Sequence, residues 1–160
     1  AALCARSQVG IVLMHMQGDP KTMQLEPSYE NLVPEIARFL EEQAKTAETA
    51  GIERSHICLD PGIGFGKTHA HNIELLNSIG TFAALGYPVV VGASRKGFLG
   101  SVLADAGLET SAPERDPATA ATVALAIAGG AAVVRVHNVG HSFQAARVAD
   151  AIVRASQRRL

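Results

Sequence analysis

The chain has 160 residues, of which 48% are hydrophobic, and this is enough apolar material for the core of one ordinary domain. Its 14 lysine and arginine residues are balanced by 15 aspartate and glutamate residues, which excludes a nucleic-acid binder that works by bulk positive charge. Aromatic residues make up only 4% and tryptophan is absent, so a stacking platform for single strands is not expected either.

Apolar and helical segments alternate along the chain. Residues 1–8 are typical of the end of a helix, and a start at Ala1 without a signal-peptide pattern predicts a truncated chain. Four runs rich in valine, isoleucine and leucine predict strands buried on both faces, at residues 10–14, 56–59, 89–91 and 132–136. Helical spacing predicts helices between and after them, at residues 34–51, 71–85, 96–107, 116–129 and 142–158. Alternation of this kind predicts an α/β fold with a parallel sheet and right-handed crossovers.

Each predicted strand runs into side chains that carry chemistry. Asp60 follows the second strand, Lys96 follows the third, and Arg135 and His137 lie on one side of the fourth. Ligands bind at the carboxyl ends of strands in such folds, so these side chains are predicted to form one face of a site. Each also has a plainer interpretation, because Asp-Pro-Gly is a turn signal, a lysine can be a solvated residue at a helix start, and a lone histidine is more often structural.

Three glycines, Gly62, Gly64 and Gly66, form a run that superficially resembles a phosphate-binding loop. Their spacing is neither GxGxxG nor a Walker motif, so the run predicts no nucleotide site. The histidines lack the spacing of a motif such as HExxH, and Cys4 and Cys58 have no CxxC spacing. We therefore predict neither a metal ligand nor a disulfide in this chain, and a reducing compartment fits the cysteines.

Several segments together resemble the dihydropteroate synthases. They are LMHMQG at residues 13–18, PKTMQ at 20–24, LDPGIGFGKT at 59–68, HNIELL at 71–76, VGASRK at 91–96 and RVHN at 135–138. Their order and spacing match the family over nearly the whole chain, and LDPGIGFGK followed by SRK is a highly specific combination.

The resemblance implies a TIM (β/α)8 barrel, of which this chain would supply the last four βα units. Residues 1–160 would then be the C-terminal half of a pterin-binding domain, because a whole barrel takes about 250 residues. The family joins 4-aminobenzoate to 6-hydroxymethyl-7,8-dihydropterin diphosphate, releases diphosphate and forms 7,8-dihydropteroate for folate biosynthesis. In the family, diphosphate is thought to leave first, and the arylamine then attacks the pterin cation.

The resemblance also implies roles for individual residues around the pterin ring. Asp60 matches the carboxylate that accepts from the N–H and amine of the pterin, and Lys96 matches the lysine that donates to its acceptors and lies near 4-aminobenzoate. Arg135 matches the residue whose guanidinium packs on the pterin face. Three further residues would line the pocket or let the ring come close to the backbone: Val12, Met14 and Gly92.

For the other substrate groups, Phe65 matches the residue that contacts the 4-aminobenzoate ring, and His137, together with Arg135, would hold the leaving diphosphate. Two positions depart from the family pattern. Gly97 stands where the family often has a serine that meets the 4-aminobenzoate carboxylate, and Asn138 replaces the aspartate of RVHD. The amide of residue 97 can still bind a carboxylate at a helix start, and Asn138 can cap the following helix.

The resemblance further implies Mg²⁺ bound with the diphosphate and contacted by the missing N-terminal half, a homodimer, and a cytoplasmic location without nucleic acid or membrane as partners. Two rival interpretations stay open. A pterin-dependent methyltransferase shares the barrel and the pterin-binding aspartate, although methyl transfer leaves no diphosphate for SRK and RVH to hold. A non-catalytic pterin-binding or dimerising half barrel is compatible with the residues of this half.

Overall fold

Four short parallel strands form the centre of the computed structural model, which describes residues 1–157 and the side chains of residues 1–155. The strands are β1 (Ile11–Met14), β2 (Ile57–Asp60), β3 (Val90–Val91) and β4 (Val133–Val134). β1 pairs with β2, β3 pairs with β4, and an isolated bridge from Leu59 to Val89 joins the two pairs. The predicted strands and their parallel pairing are confirmed.

Helices follow the strands, as predicted. They are α1 (Ala2–Ser7), α2 (Leu32–Thr49), α3 (His69–Asn77), α4 (Ile79–Ala83), α5 (Gly97–Asp105), α6 (Asp116–Ala128) and α7 (Val139–Gln157), with 3₁₀ turns at Arg54–His56 and Pro113–Arg115. Within residues 1–157, none of these helices is long and apolar enough to cross a membrane. The predicted end of the last helix at residue 158 lies outside the described residues.

The helix predicted over residues 71–85 is wrong as a single element, because the structure has two helices that meet at Ser78. The backbone of Ser78 leaves the helical region (φ −111°, ψ 17°) and serves as the C-cap of α3 and the N-cap of α4. α3 also begins earlier than predicted, since Thr68 and His71 form a reciprocal capping box at its start. Serine has a lower helix propensity than alanine or leucine, which agrees with a break at this residue.

The core lies between the helices and one face of the sheet. α2 places Ile36, Leu40 and Ala44 on one stripe, and all three are fully buried. They belong to the same cluster as Leu59 of β2 and Phe82 of α4. The helix–sheet contact therefore fixes the positions from which the strand ends project.

The opposite face of the sheet is open. Val12 on β1 is 54% exposed and Val133 on β4 is 47% exposed, so the prediction of burial on both faces is wrong for these two strands. The reason is that, within the described residues, the sheet does not close into a barrel and β1 and β4 are its edges. Unpaired strand edges favour association with other chains.

Candidate active site

Asp60 is the last residue of β2 and is buried, with 5% of its surface exposed. Its Oδ1 accepts a hydrogen bond of 2.7 Å from the amide of Gly62, and in the part of the chain that the structure describes Oδ2 has no hydrogen-bond partner. Burial raises the pKa of Asp60, while the Gly62 amide and the positive charges of Arg135 and Lys96 act in the opposite direction. The result is a desolvated carboxylate with one oxygen free for a ligand.

Lys96 lies at the start of α5 and reaches back over the loop that follows β2. Its Nζ donates to the carbonyl of Ile63 at 2.6 Å and lies 4.1 Å from the centre of the Phe65 ring. Burial, and then the charge of Arg135, lower the pKa of Lys96, whereas Asp60 raises it. The amine is therefore held next to an aromatic face, which is a favourable cation–π position.

Gly64 makes room for that lysine. Its backbone has φ +79°, and a Cβ there would lie 2.7 Å from Cδ of Lys96. Glycine adopts this left-handed conformation at no steric cost, whereas any larger residue would displace Lys96. Gly64 thus allows Lys96 to lie close to the loop that follows β2.

Arg135 and His137 follow β4 and are both exposed. The guanidinium of Arg135 lies over Gly92, where a Cβ would come within 3.0 Å of Nη2. From the sequence, Gly92 is expected to let a ligand approach the backbone closely. In the structure, the group that lies closest to the position of a side chain at residue 92 is the guanidinium of Arg135. The imidazole of His137 is oriented by Ser94, whose Oγ is 2.9 Å from Nδ1 and accepts from the His137 amide at 3.2 Å.

Met14 and Val12 lie two residues apart on β1 and so share a face of the sheet. Met14 is paired with Asp60 in the strand register and is half-buried, whereas Val12 is exposed. The structure therefore gathers the residues predicted at the four strand ends on the open side of one sheet.

A cleft of about 740 Å³ opens beside this cluster. Its wall combines residues from the loop after β1, the loop after β2, the first turn of α3 and the start of α5: Gln24, Leu25, Pro27, Gly64, Lys67, Thr68, His69, Ala70, Asn72, Lys96, Gly97 and Phe98. Asp60, Arg135 and His137 lie outside this wall. The site thus has two parts that meet at Lys96, an open polar face and a cleft.

The sequence predicts no role for Lys67, although it belongs to the quoted GFGKT segment. Lys67 is 2% exposed, donates to the carbonyl of Phe65 at 2.9 Å, and lies 3.1 Å from Nδ1 of His15. Burial is the main cause that lowers the pKa of Lys67 to about 8, and it also lowers the pKa of His15 to about 4. Lys67 therefore ties the loop that carries Phe65 to the end of β1.

Two amide side chains, also missed, hold the same loop at Gly64. Asn72 Oδ1 accepts from the Gly64 amide at 2.6 Å, and Gln24 Nε2 donates to the Gly64 carbonyl at 2.6 Å. Both residues lie in segments that resemble the family, but a sequence segment does not show which partner a side chain finds across 8 or 40 residues.

Replacing Lys67 with methionine is expected to change how stability depends on pH. The folded wild-type chain holds the Lys67 proton less tightly than the unfolded chain, whose lysine titrates near 10.5. The free energy of unfolding of the wild type should therefore rise as the pH increases from about 8 to 10.5. The rise should reach about 3 kcal/mol at most. Urea unfolding at each pH measures it as the difference between wild type and Lys67→Met.

The matched control for this prediction is Lys21→Met, because Lys21 is an exposed lysine. This variant should follow the wild-type pH dependence. If Lys67→Met also follows the wild-type pH dependence, the buried ammonium of Lys67 does not set the free energy of unfolding between about pH 8 and 10.5.

The family of the chain follows from a comparison with known proteins. A family model described as "Pterin binding enzyme" matches residues 1–137. The chain belongs to the pterin-binding enzyme family. The resemblance that the sequence motifs indicate is thereby confirmed.

The relatives and solved structures that resemble this chain include dihydropteroate synthases. The Synechocystis dihydropteroate synthase is 42% identical over 153 residues, covering 96% of this chain and 52% of the relative. A Yersinia pestis dihydropteroate synthase crystallised with a sulfonamide drug superposes with a TM-score of 0.88 at 35% identity, over 94% of this chain and 53% of that chain. The Thermus thermophilus enzyme in complex with 4-aminobenzoate gives a TM-score of 0.85 at 40% identity, over 94% and 59%.

The chain thus spans about half the length of the curated relatives it matches. The α/β fold predicted from the sequence is confirmed by these structures, which are enzymes of the same family as the one the motifs resemble.

Proposed function

We propose that this chain is the C-terminal half of a dihydropteroate synthase and supplies its pterin site. The complete enzyme would condense 4-aminobenzoate with 6-hydroxymethyl-7,8-dihydropterin diphosphate and release diphosphate. The observation that carries the proposal is the buried Asp60 carboxylate, which has one free oxygen and lies in the field of Arg135 and Lys96. Its support is this geometry in a chain about 40% identical to dihydropteroate synthases.

In this proposal, Asp60 accepts hydrogen bonds from the N–H and amine edge of the pterin. A charge-assisted pair of this kind is stronger than one between neutral groups. Lys96 donates to the pterin acceptors, and the planar guanidinium of Arg135 packs on the ring face. Val12, Met14 and Gly92 complete the pterin pocket on the open side of the sheet.

The reaction breaks the bond between the pterin methylene carbon and a diphosphate oxygen, and it forms a bond from that carbon to the arylamine nitrogen, which then loses a proton. Arg135 and His137 stabilise the negative charge that develops on the leaving diphosphate. Phe65 and the cleft beside Lys96 hold the 4-aminobenzoate ring, and the backbone amide of Gly97 at the start of α5 receives its carboxylate. The protein's contribution is positioning and electrostatic stabilisation.

Magnesium belongs with the diphosphate in this proposal. The described residues bring together no group of three or more His, Cys, Asp or Glu that could hold a metal ion. The protein contacts of the ion are proposed to come from the N-terminal half, as the family resemblance implies, and we derive no step through the ion.

Residues 1–160 are proposed to be four βα units of a TIM barrel, with β1 and β4 as the strands that meet the other half. A homodimer and a cytoplasmic location complete the proposal. Both cysteines are free and unpaired with each other, which supports a reducing compartment.

The isolated chain is expected to self-associate and to form no dihydropteroate, because its two sheet edges and its open face lack partners. Light scattering measures the association. Val133→Lys at the edge strand should reduce it, whereas Val102→Lys, at an equally exposed valine on α5, should not. A monodisperse wild-type chain that forms dihydropteroate would contradict the half-barrel proposal.

The functional test uses the chain fused behind the N-terminal part of the Synechocystis dihydropteroate synthase, here called the completed enzyme. Expression of the completed enzyme in a bacterium that lacks its own dihydropteroate synthase should restore growth without added folate-dependent nutrients. Growth should be lost again in the presence of a sulfonamide, which mimics 4-aminobenzoate. A completed enzyme that folds and binds pterin but does not restore growth would favour the non-catalytic interpretation.

A further inference from the structure

Arg95, the middle residue of SRK, has a strained backbone. Its φ is +59°, a left-handed conformation that is uncommon for a residue with a side chain. It lies directly between Ser94, which orients His137, and Lys96. Strain of this kind persists only where the surroundings impose it, and it clusters at functional sites.

The surroundings that impose it come from the start of α6. The Arg95 amide donates to Thr119 Oγ1 at 3.1 Å, and its carbonyl accepts from Arg115 Nη1 at 3.2 Å. Its guanidinium makes a two-bond ion pair with Asp116, at 2.7 and 2.9 Å. The main-chain and side-chain groups of one strained residue are thus held by a stretch of five residues.

The ion pair is shielded from water. The Arg95 side chain is 25% exposed and that of Asp116 is 11% exposed. Hydrogen bonds from Arg95 and then from Asn138 lower the pKa of Asp116 to about 2, so the carboxylate stays charged at any pH near neutral. Two-bond arginine–carboxylate pairs fix geometry as well as energy.

Asp116 also contacts the other side of the site. Its Oδ2 accepts a hydrogen bond of 2.9 Å from Nδ2 of Asn138, the residue after His137. Asn138 Oδ1 in turn accepts from the amide of His141 in the first turn of α7. A continuous path therefore runs from Arg95, next to Lys96, through Asp116 to Asn138, next to His137.

We propose that Arg95, Asp116 and Asn138 form a clamp whose function is to position Lys96 and His137 relative to each other. The inference rests on the proposed function, in which Lys96 serves the pterin and His137 serves the diphosphate of the same substrate. The three clamp residues touch no substrate in this scheme; they are positioning residues. None of them has a role in the pterin or 4-aminobenzoate contacts described above.

The first test measures Lys96 itself in the 160-residue chain that carries Val133→Lys, the substitution expected to reduce self-association. Acetylation by acetic anhydride across a pH series, quantified for each lysine by mass spectrometry, gives the pH at which Lys96 becomes reactive. Release of the clamp should let Lys96 leave its buried position, so its midpoint should rise toward the ordinary 10.5 in both Arg95→Lys and Asp116→Asn. The exposed Lys21 serves as the internal reference.

The matched control is Arg54→Lys. Arg54 also joins distant segments, with bonds to Glu48, Tyr87 and the Leu85 carbonyl, but it does so at the amino ends of the strands. This control should leave the Lys96 midpoint unchanged. The positioning role would be overturned by an unchanged Lys96 midpoint in both clamp variants, or by an equal change in the control. It would also be overturned if both clamp variants failed to fold.

Asn138→Ser separates the clamp from the helix cap. Serine caps a helix about as well as asparagine, but it is too short to take over the bond to Asp116. The variant should therefore keep its unfolding midpoint while the Lys96 midpoint moves in the same direction as in Arg95→Lys. A Lys96 midpoint that does not move would remove Asn138 from the clamp.

Turnover in the completed enzyme gives a second, separate readout. Arg95→Lys should lower kcat by about 10-fold or more, because small displacements of positioned groups are costly, while the KM for 4-aminobenzoate changes little. An unchanged kcat would count against the clamp. If the wild-type completed enzyme forms no product, the proposed function fails, and the Lys96 titration alone decides the clamp.

Discussion

Lys96→Ala is expected to abolish turnover of the completed enzyme, with a loss in kcat of at least about 10²-fold, as for other groups that stabilise charge in a transition state. The physical reason is that the amine, placed by the Ile63 carbonyl and the Phe65 ring, lies where the open polar face meets the cleft. The fold should survive, because Lys96 is the N-cap residue of α5 and is not part of the hydrophobic core cluster. Steady-state kinetics and circular dichroism measure the two effects.

The control for Lys96→Ala is Lys45→Ala, which removes an exposed lysine from an ion pair with Glu41 on α2. Such an exposed pair contributes little to stability, so this variant should keep wild-type activity. If Lys96→Ala unfolds instead, the lysine is structural and the plainer interpretation of its place at a helix start is right.

Asp60→Asn is expected to weaken binding of 6-hydroxymethyl-7,8-dihydropterin diphosphate by about 2–5 kcal/mol, the usual cost of breaking a buried charged hydrogen-bonded pair. The amide presents one donor to the pterin donors and loses the charge. Calorimetry on the completed enzyme measures the affinity, and Asp105→Asn, at an exposed carboxylate on α5, is the matched control. Equal affinity in wild type and Asp60→Asn would contradict the assignment.

The pH dependence of this binding should change in the same variant. Because burial raises the pKa of Asp60 above its ordinary value of 3.8, wild-type binding should decline as the pH falls through that raised pKa, and the decline should begin at a higher pH than for an ordinary aspartate. Asp60→Asn has no proton to gain at this position and should lack that decline.

Much of the site could be predicted because its residues follow the strands directly. Asp60 ends an apolar run, and the carboxyl ends of parallel strands meet at one edge, so sequence position alone brings it near Lys96 and Arg135. The strands themselves are set by short runs of valine, isoleucine and leucine, which is why their positions were predictable.

The supporting residues could not be predicted in the same way. The partner of Arg95 is 21 residues away and that of Lys67 is 52 residues away, and no local pattern specifies such contacts. A buried lysine such as Lys67 also contradicts the usual exposure of that residue type. The exposure of Val12 depends on which other chain segments cover the sheet, and the strand's own residues do not determine that.

An enzyme that contains this chain is proposed to join a pterin to an arylamine with loss of diphosphate. The most direct measurement supplies the completed enzyme with 6-hydroxymethyl-7,8-dihydropterin diphosphate and 4-aminobenzoate, then quantifies diphosphate and identifies the pterin product by mass spectrometry. We expect 7,8-dihydropteroate and diphosphate in equal amounts, with neither formed by Lys96→Ala. Diphosphate released without dihydropteroate, or no product from a folded enzyme that binds both substrates, would contradict it.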